Sequence, residues 1–133
     1  MKNILIVDDN QMIRDSLSSY LGHQLKNYDY NVLTAEDGVK AIEVMDSFPV
    51  SFVLTDLEMP NVDGYGVIEY TKKNHPSVPV SIMTGSWSMD LLMLVRKLGV
   101  VRCIEKPFHF EEIEQMVIQS LAKGEAPSAM TAA

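Results

Sequence analysis

A set of polar groups stands directly after short aliphatic segments of this chain, where strands would end. Asp8 and Asp9 follow Ile4-Leu5-Ile6-Val7, Asp56 follows Val53-Leu54-Thr55, Thr84 follows Ile82-Met83, and Lys106-Pro107 follows Ile104-Glu105. Brought to one place, the three carboxylates repel one another, and at least one would take up a proton unless a cation compensates them. A hard divalent ion meets that need, and an all-oxygen, partly hydrated site suits Mg2+ better than a softer metal. Zinc is disfavoured, because Cys103 is the single cysteine and His23, His75 and His109 are scattered without ligand spacing. Mg2+ beside an ammonium and a hydroxyl offers what a phosphoryl group requires: charge neutralisation on its oxygens and a fixed orientation for in-line transfer. A carboxylate can then act as nucleophile and carry an aspartyl phosphate. Asp56 is the candidate acceptor, central among the strand ends with the Asp8-Asp9 pair on a neighbouring strand.

The elements between these groups must position them. Ile4 to Val7, Asn31 to Thr34, Ser51 to Thr55, Val80 to Met83 and Val100 to Ile104 read as strands, rich in β-branched and aliphatic residues and bounded by breakers. Several are apolar without alternation, the pattern of strands buried on both faces of a parallel sheet. Helix-length stretches separate them. Ile13, Leu17, Leu21 and Leu25 recur at helical spacing after Asn10 or Asp9 as N-cap. Val39, Ile42, Val44 and Met45 follow Asp37-Gly38; Val67, Ile68 and Thr71 follow Asp63-Gly64, a turn and helix start rather than a ligand. Met89 through Leu98 form the fourth stretch, which Gly99 ends as a C′ glycine. Ile113, Met116, Val117 and Leu121 form the fifth, opened by the acidic pair Glu111-Glu112. A strand-helix unit repeated in this way predicts an α/β fold, a doubly wound five-stranded parallel sheet with helices on both faces. Such sheets bind ligands outside the carboxyl ends of their strands, where the polar set lies. The second strand adds no obvious group there, as befits a strand outside the cleft.

Composition sets further bounds. A chain of 133 residues is the size of one domain, and 47% hydrophobic with 22% charged residues is an ordinary globular mixture. A net charge of −7 repels phosphate backbones and anionic bilayers, so neither a nucleic acid nor a membrane is an expected partner. The opening segment reaches acidic residues too soon for a signal peptide, no apolar run approaches bilayer length, and a lone cysteine suits a reducing compartment; the expected location is cytoplasmic. The folded domain is expected over residues 1–122. Residues 123–133 are small, polar and aperiodic, and read as a disordered tail or truncated linker.

Ile6-Val7-Asp8-Asp9, Thr55-Asp56-Leu57-Glu58-Met59-Pro60 with Asp63-Gly64, Met83-Thr84-Gly85 and Lys106-Pro107-Phe108 together resemble the marks of the receiver domains of two-component response regulators. Each motif alone is unspecific; their joint order on the strand ends, from about Lys2 to Leu121, is not. The resemblance implies a CheY-like, flavodoxin-like (βα)5 fold with strand order 2-1-3-4-5, serving as a phosphorylation-dependent signalling switch rather than an enzyme in the ordinary sense. Asp56 would accept a phosphoryl group from a phosphohistidine of a histidine kinase or histidine phosphotransfer protein, and the domain would promote its own phosphorylation and dephosphorylation. Asp9 would bind Mg2+ directly and Asp8 mainly through water, with Asp56 and the backbone carbonyl of Glu58 completing the protein ligands. Thr84 would hydrogen-bond one phosphoryl oxygen, Lys106 would pair with another, and the Lys106-Pro107 peptide would be cis. The face made by the fourth helix, fifth strand and fifth helix would then shift between two packings, read by a downstream protein or by an output domain of the same chain, and would be the surface for a homodimer.

Two departures and two other readings accompany that expectation. The family usually has Tyr or Phe three residues before the lysine, where this chain has Cys103; output is therefore expected to rely on displacement of the fourth helix rather than on an aromatic rotamer. Cys103 itself reads as a small buried hydrophobe, and the three histidines as surface residues. Glu58 lies near the path of attacking water and would alter the phosphoryl lifetime. The fourth helix holds more apolar groups than one face accommodates, which predicts an exposed patch for a partner or for self-association, the alternative being a deeply buried helix. A pseudo-receiver used only for binding would retain the same fold. A Mg2+-dependent phosphatase of the haloacid dehalogenase kind would use Asp56 as nucleophile and Glu58 as general acid/base.

Overall fold

The computed structural model describes residues 2–59 and 61–122. Strands and helices alternate along the chain: β1 (Lys2–Val7), α1 (Gln11–Gln24), β2 (Tyr30–Ala35), α2 (Gly38–Ser47), β3 (Val50–Asp56), α3 (Gly64–Asn74), β4 (Val80–Thr84), α4 (Met89–Lys97), β5 (Arg102–Glu105) and α5 (Phe110–Ala122). All neighbouring strands pair in parallel, in the order β2-β1-β3-β4-β5. The doubly wound sheet read from the sequence is the observed fold. Strand order reverses between β1 and β3, so the crevice at their carboxyl ends is where a ligand of this sheet belongs. The expected division between residues 1–122 and a tail at 123–133 falls at the edge of the described residues, and the tail itself lies outside them.

The continuous apolar runs of β1, β3 and β4 make sense once both faces of the sheet are covered. On one face Ile4, Ile6, Phe52, Leu54 and Met83 are buried under Leu17 and Leu21 of α1 and Ile113, Met116 and Val117 of α5. On the other, Leu5, Val7, Val53, Val80 and Ile82 meet Ala41 and Val44 of α2, Val67 and Ile68 of α3 and Val95 of α4. Each such aliphatic or aromatic side chain contributes roughly 1.5–3 kcal/mol relative to exposure, which makes these three central strands the rigid base for whatever stands at their ends.

Helix starts follow the small polar residues. Asn10, Asp37, Asp63 and Ser88 each accept a hydrogen bond from the amide three residues on, at 2.9–3.1 Å. Asn10 rather than Asp9 caps α1, which frees Asp9 for the strand-end cluster, and Asp63 opens α3 as expected. Gly99 ends α4 with φ +81; its N–H donates to the Arg96 carbonyl and that of Val100 to the Val95 carbonyl, both at 3.1 Å, the paired bonds of a Schellman motif. That motif also corrects the start of the last strand. Val100 is buried, but its amide completes the helix end, so the ladder of β5 begins at Arg102. A short 3₁₀ turn at Lys26–Tyr28 follows α1, which helical spacing alone did not reveal.

α4 is shallow. Val95 is its buried apolar residue, whereas Met89, Met93 and Leu94 are 67%, 61% and 42% exposed and the preceding Trp87 is 38% exposed. The expected surplus of apolar side chains therefore lies on the surface, and the deeply buried alternative does not hold.

Candidate functional site

Each predicted site residue stands where its strand releases it. Asp8 and Asp9 leave β1, Asp56 and Thr84 are the last residues of β3 and β4, and Lys106 follows β5. One carboxylate oxygen from each of Asp8, Asp9 and Asp56 lies within 4.8 Å of the others. The Lys106 ammonium donates to Oδ2 of Asp8 and to Oδ2 of Asp56, both at 3.0 Å. Asp8 is fully buried: its Oδ1 accepts from the Asn10 N–H at 2.9 Å, and its carbonyl oxygen accepts from the Arg14 guanidinium at 2.9 Å. Asp9 is exposed, at the mouth of the cluster. The Lys106-Pro107 peptide is cis, as expected.

The electrostatics follow from this crowding. Burial pushes the Asp56 carboxyl above its ordinary value; the neighbouring Asp8 charge adds to the rise and Lys106 opposes it. For Lys106 partial burial favours the neutral amine, but the bonds to Asp8 and Asp56 outweigh it and the ammonium is held more tightly than usual. Three carboxylates against one ammonium leave two negative charges uncompensated, the charge of a single divalent cation. The donors are all oxygen, hard and partly open to water, which fits Mg2+ and offers nothing to a soft metal. Among the described residues no other group of His, Cys, Asp and Glu comes together in this way.

Thr84 is buried beside the cluster, and Lys106 is tied to it through the backbone, the Lys106 N–H donating to the Thr84 carbonyl at 2.8 Å. The Thr84 hydroxyl accepts from the Ser86 N–H at 3.1 Å. Glu58 meets Asp56 through its backbone N–H, 3.4 Å from Oδ1, while its own side chain is exposed. A cavity of about 320 Å³ opens next to these groups, bounded by Leu57, Glu58, Tyr65, Thr84, Leu91 and Leu94.

Sequence reasoning missed Arg14. Its signal was available, since a residue in the first turn of a helix that follows a strand end lies over that strand end. Two minor expectations are corrected. Cys103 is on β5 but only half-buried; burial, with the charge of Glu105 adding, pushes its thiol up to about 11, which disfavours the thiolate. His75 is no plain surface residue: its Nε2 lies 3.2 Å from Asp46, which also accepts from the Tyr70 hydroxyl, and this joins the ends of α2 and α3.

The sequence and the fold have counterparts in known proteins. The family model for the response regulator receiver domain matches residues 4–118. An NtrX-like response regulator of Rickettsia felis is 32% identical over 113 residues, which cover 84% of this chain and 23% of that protein. The transcriptional regulatory protein FixJ of Bradyrhizobium diazoefficiens is 28% identical over 123 residues, covering 92% of this chain and 58% of FixJ. The match thus spans about a quarter of the first relative's length and about half of the second's. The crystal structure of a CheY-like response regulator receiver domain protein from Methanospirillum hungatei shares the fold, with a TM-score of 0.82 at 24% identity over 92% of this chain and 95% of that one. With a family model covering nearly all of the described residues and the polar set standing at its strand ends, this chain belongs to the receiver domains of two-component response regulators.

Proposed function

We propose that the chain is a phosphorylation-dependent switch in which Asp56 accepts a phosphoryl group from the phosphohistidine of a histidine kinase or histidine phosphotransfer protein. The observation that carries this reading is the Lys106 ammonium shared at 3.0 Å between Asp8 and Asp56, with the Asp9 carboxylate alongside. An Asp56 oxygen attacks phosphorus; the new P–O bond forms as the P–N bond breaks, and the imidazole nitrogen keeps the electron pair and takes a proton from solvent. Oδ1 is the freer oxygen, since Lys106 engages Oδ2 and Oδ1 has only the long Glu58 contact. Lys106 stays paired with Asp8 while it follows the charge that develops on the phosphoryl oxygens. The Thr84 hydroxyl, an acceptor towards Ser86, keeps its own proton to donate to one of them. Attack by water on the same phosphorus breaks the P–O bond to Asp56 and releases inorganic phosphate and the free carboxylate, so the domain promotes both its phosphorylation and its dephosphorylation. The carboxylates of Asp9 and Asp56, the Glu58 backbone carbonyl and, through water, Asp8 would hold Mg2+, which supplies charge neutralisation at the phosphoryl group when bound.

The signal leaves through the face of α4, β5 and α5, towards a downstream protein or an output region of the same polypeptide, or through a homodimer on that face. Cys103 carries no aromatic ring to report the state of Thr84, whereas α4 is anchored through few buried side chains and is cheap to displace. Residues 1–122 are the switch unit on this reading, residues 123–133 lie beyond it, and the surroundings are cytoplasmic. Incubation with acetyl phosphate and Mg2+, followed by intact mass, tests the central step. One phosphoryl group is expected on the wild type and none on Asp56→Asn. A wild type left unlabelled by several donors marks a binding-only domain instead.

A further inference from the structure

β2 sends no side chain to the cleft, yet the turn that leaves it grips the loop that borders the cleft. Asp37 caps α2, its Oδ1 accepting from the Lys40 N–H at 2.9 Å, and its second oxygen accepts from the Asn61 side-chain amide at 2.8 Å. One residue on, the Gly38 N–H donates to the Val62 carbonyl at 2.9 Å, and a Cβ at Gly38 would overlap that carbonyl. At the far end of the loop the Gly64 N–H donates to the Leu57 carbonyl at 3.0 Å, and a Cβ there would overlap the carbonyl of Asp56. Asn61 sits at φ +62, a left-handed conformation that its bond to Asp37 offsets. The loop between β3 and α3 is therefore pinned near both ends, and Glu58 lies between the pinned residues Leu57 and Asn61.

We propose that Asp37 and Asn61 are positioning residues, whose hydrogen bond sets the β3–α3 loop so that the Glu58 backbone is in place at Asp56 before a ligand arrives. This deepens, and rests on, the reading of Asp8, Asp9, Asp56 and the Glu58 carbonyl as a Mg2+ site. A backbone carbonyl has no side chain of its own to steer it, so its placement depends on where its loop is tied down. Asp37 does this from the turn that follows β2.

Two substitutions separate the tie from its neighbours. Asp37→Ser keeps a competent N-cap for α2 and loses the oxygen that meets Asn61. Asn61→Gly adopts φ +62 without steric strain and loses the same bond. On the full chain, titration calorimetry with Mg2+ alone is expected to show affinity weakened by about three- to tenfold in each, the range that one net hydrogen bond allows. The double variant is expected to lose no more than either single one. Amide exchange over residues 57–64 in metal-free protein rises, while the thermal midpoint of Asp37→Ser moves little. The exchange Asp37→Asn with Asn61→Asp, which rebuilds the bond with donor and acceptor reversed, returns affinity towards the wild type. Wild-type affinity in both single variants, or losses that add in the double one, would overturn the proposal. Failure of the underlying site looks different: wild type itself takes up no Mg2+, or Asp9→Asn binds it as well as wild type, and amide exchange then still decides whether the pins hold the loop.

Discussion

Asp56 is a carboxylate in a place where a fold would rather have none. Its pKa is raised because burial disfavours the charge and Asp8 repels it, with Lys106 offsetting only part. The folded chain therefore binds this proton more tightly than the unfolded chain does. As pH rises from the ordinary value of 3.8 through the raised one, the folded state retains a proton that the unfolded state has lost, and the stability contribution of Asp56 declines. Asp56→Asn removes that penalty. In chelator, at neutral pH, it is expected to be more stable than the wild type by on the order of 1 kcal/mol, with the gain vanishing in acid below the ordinary carboxylate value. Urea unfolding at the two pH values checks this, and a variant less stable than wild type at neutrality would contradict it. At this scale the sequence was informative where a candidate site residue follows directly on a strand: Asp8, Asp9, Asp56, Thr84 and Lys106 all stand at strand ends and could be placed there. It was silent where a contact crosses between elements. The bond from Arg14 to the Asp8 carbonyl depends on how α1 settles on β1, and that of Asp37 to Asn61 joins residues 24 positions apart.

Elements were legible in their interiors and less so at their ends, because interiors are set by apolar spacing and ends by local hydrogen bonds. β5 shows the difference: Val100 has the composition of a strand, but the backbone of α4 claims its amide. Gly99, which makes that turn possible, is also testable. At φ +81 a Cβ is strained whatever the space, and the nearest atom it would meet is the flexible end of Lys72, 3.2 Å away. Gly99→Ala is thus expected to cost about 1–2 kcal/mol from the backbone alone, seen as a lower urea midpoint at unchanged slope. The clasp between α2 and α3 gives a second test. The Tyr70 hydroxyl, helped by His75, holds the Asp46 carboxyl below its ordinary range. A lowered folded-state value means stability present above the ordinary carboxylate pKa and lost as pH falls through the folded one. Tyr70→Phe should therefore lower stability at neutral pH and converge on the wild type in acid; a constant offset across the titration would assign the loss to packing instead.

For the whole molecule the question is how a change at the strand ends reaches the outside. On the proposed reading the shift comes from α4, which Val95 anchors as its one buried residue, rather than from the sheet, whose strands are packed on both faces. The helix also presents three large apolar side chains to solvent, Met89, Met93 and Leu94, continued by Trp87. Exposed apolar residues grouped on one helix favour burial against something, and the proposed homodimer through α4, β5 and α5 would provide it. The charges at the edge do not forbid self-pairing, since Arg96 and Lys97 on α4 and Arg102 on β5 oppose Glu111 and Glu112 on α5. Met93 is the informative position: Leu92 is partly buried, so a charge there would disturb the fold as well as the surface, whereas Met93 is 61% exposed. Met93→Glu is expected to leave unfolding within about 0.5 kcal/mol of the wild type and to weaken association by roughly tenfold or more, if the side chain sits at the centre of the buried patch. Sedimentation equilibrium over a concentration series, with and without acetyl phosphate and Mg2+, measures this directly. A wild type that dimerises more tightly when phosphorylated, and a Met93→Glu chain that does not, would link the acidic cleft to the outer surface through α4. A wild type monomeric under both conditions would remove self-association and leave the apolar face of α4 to a different protein.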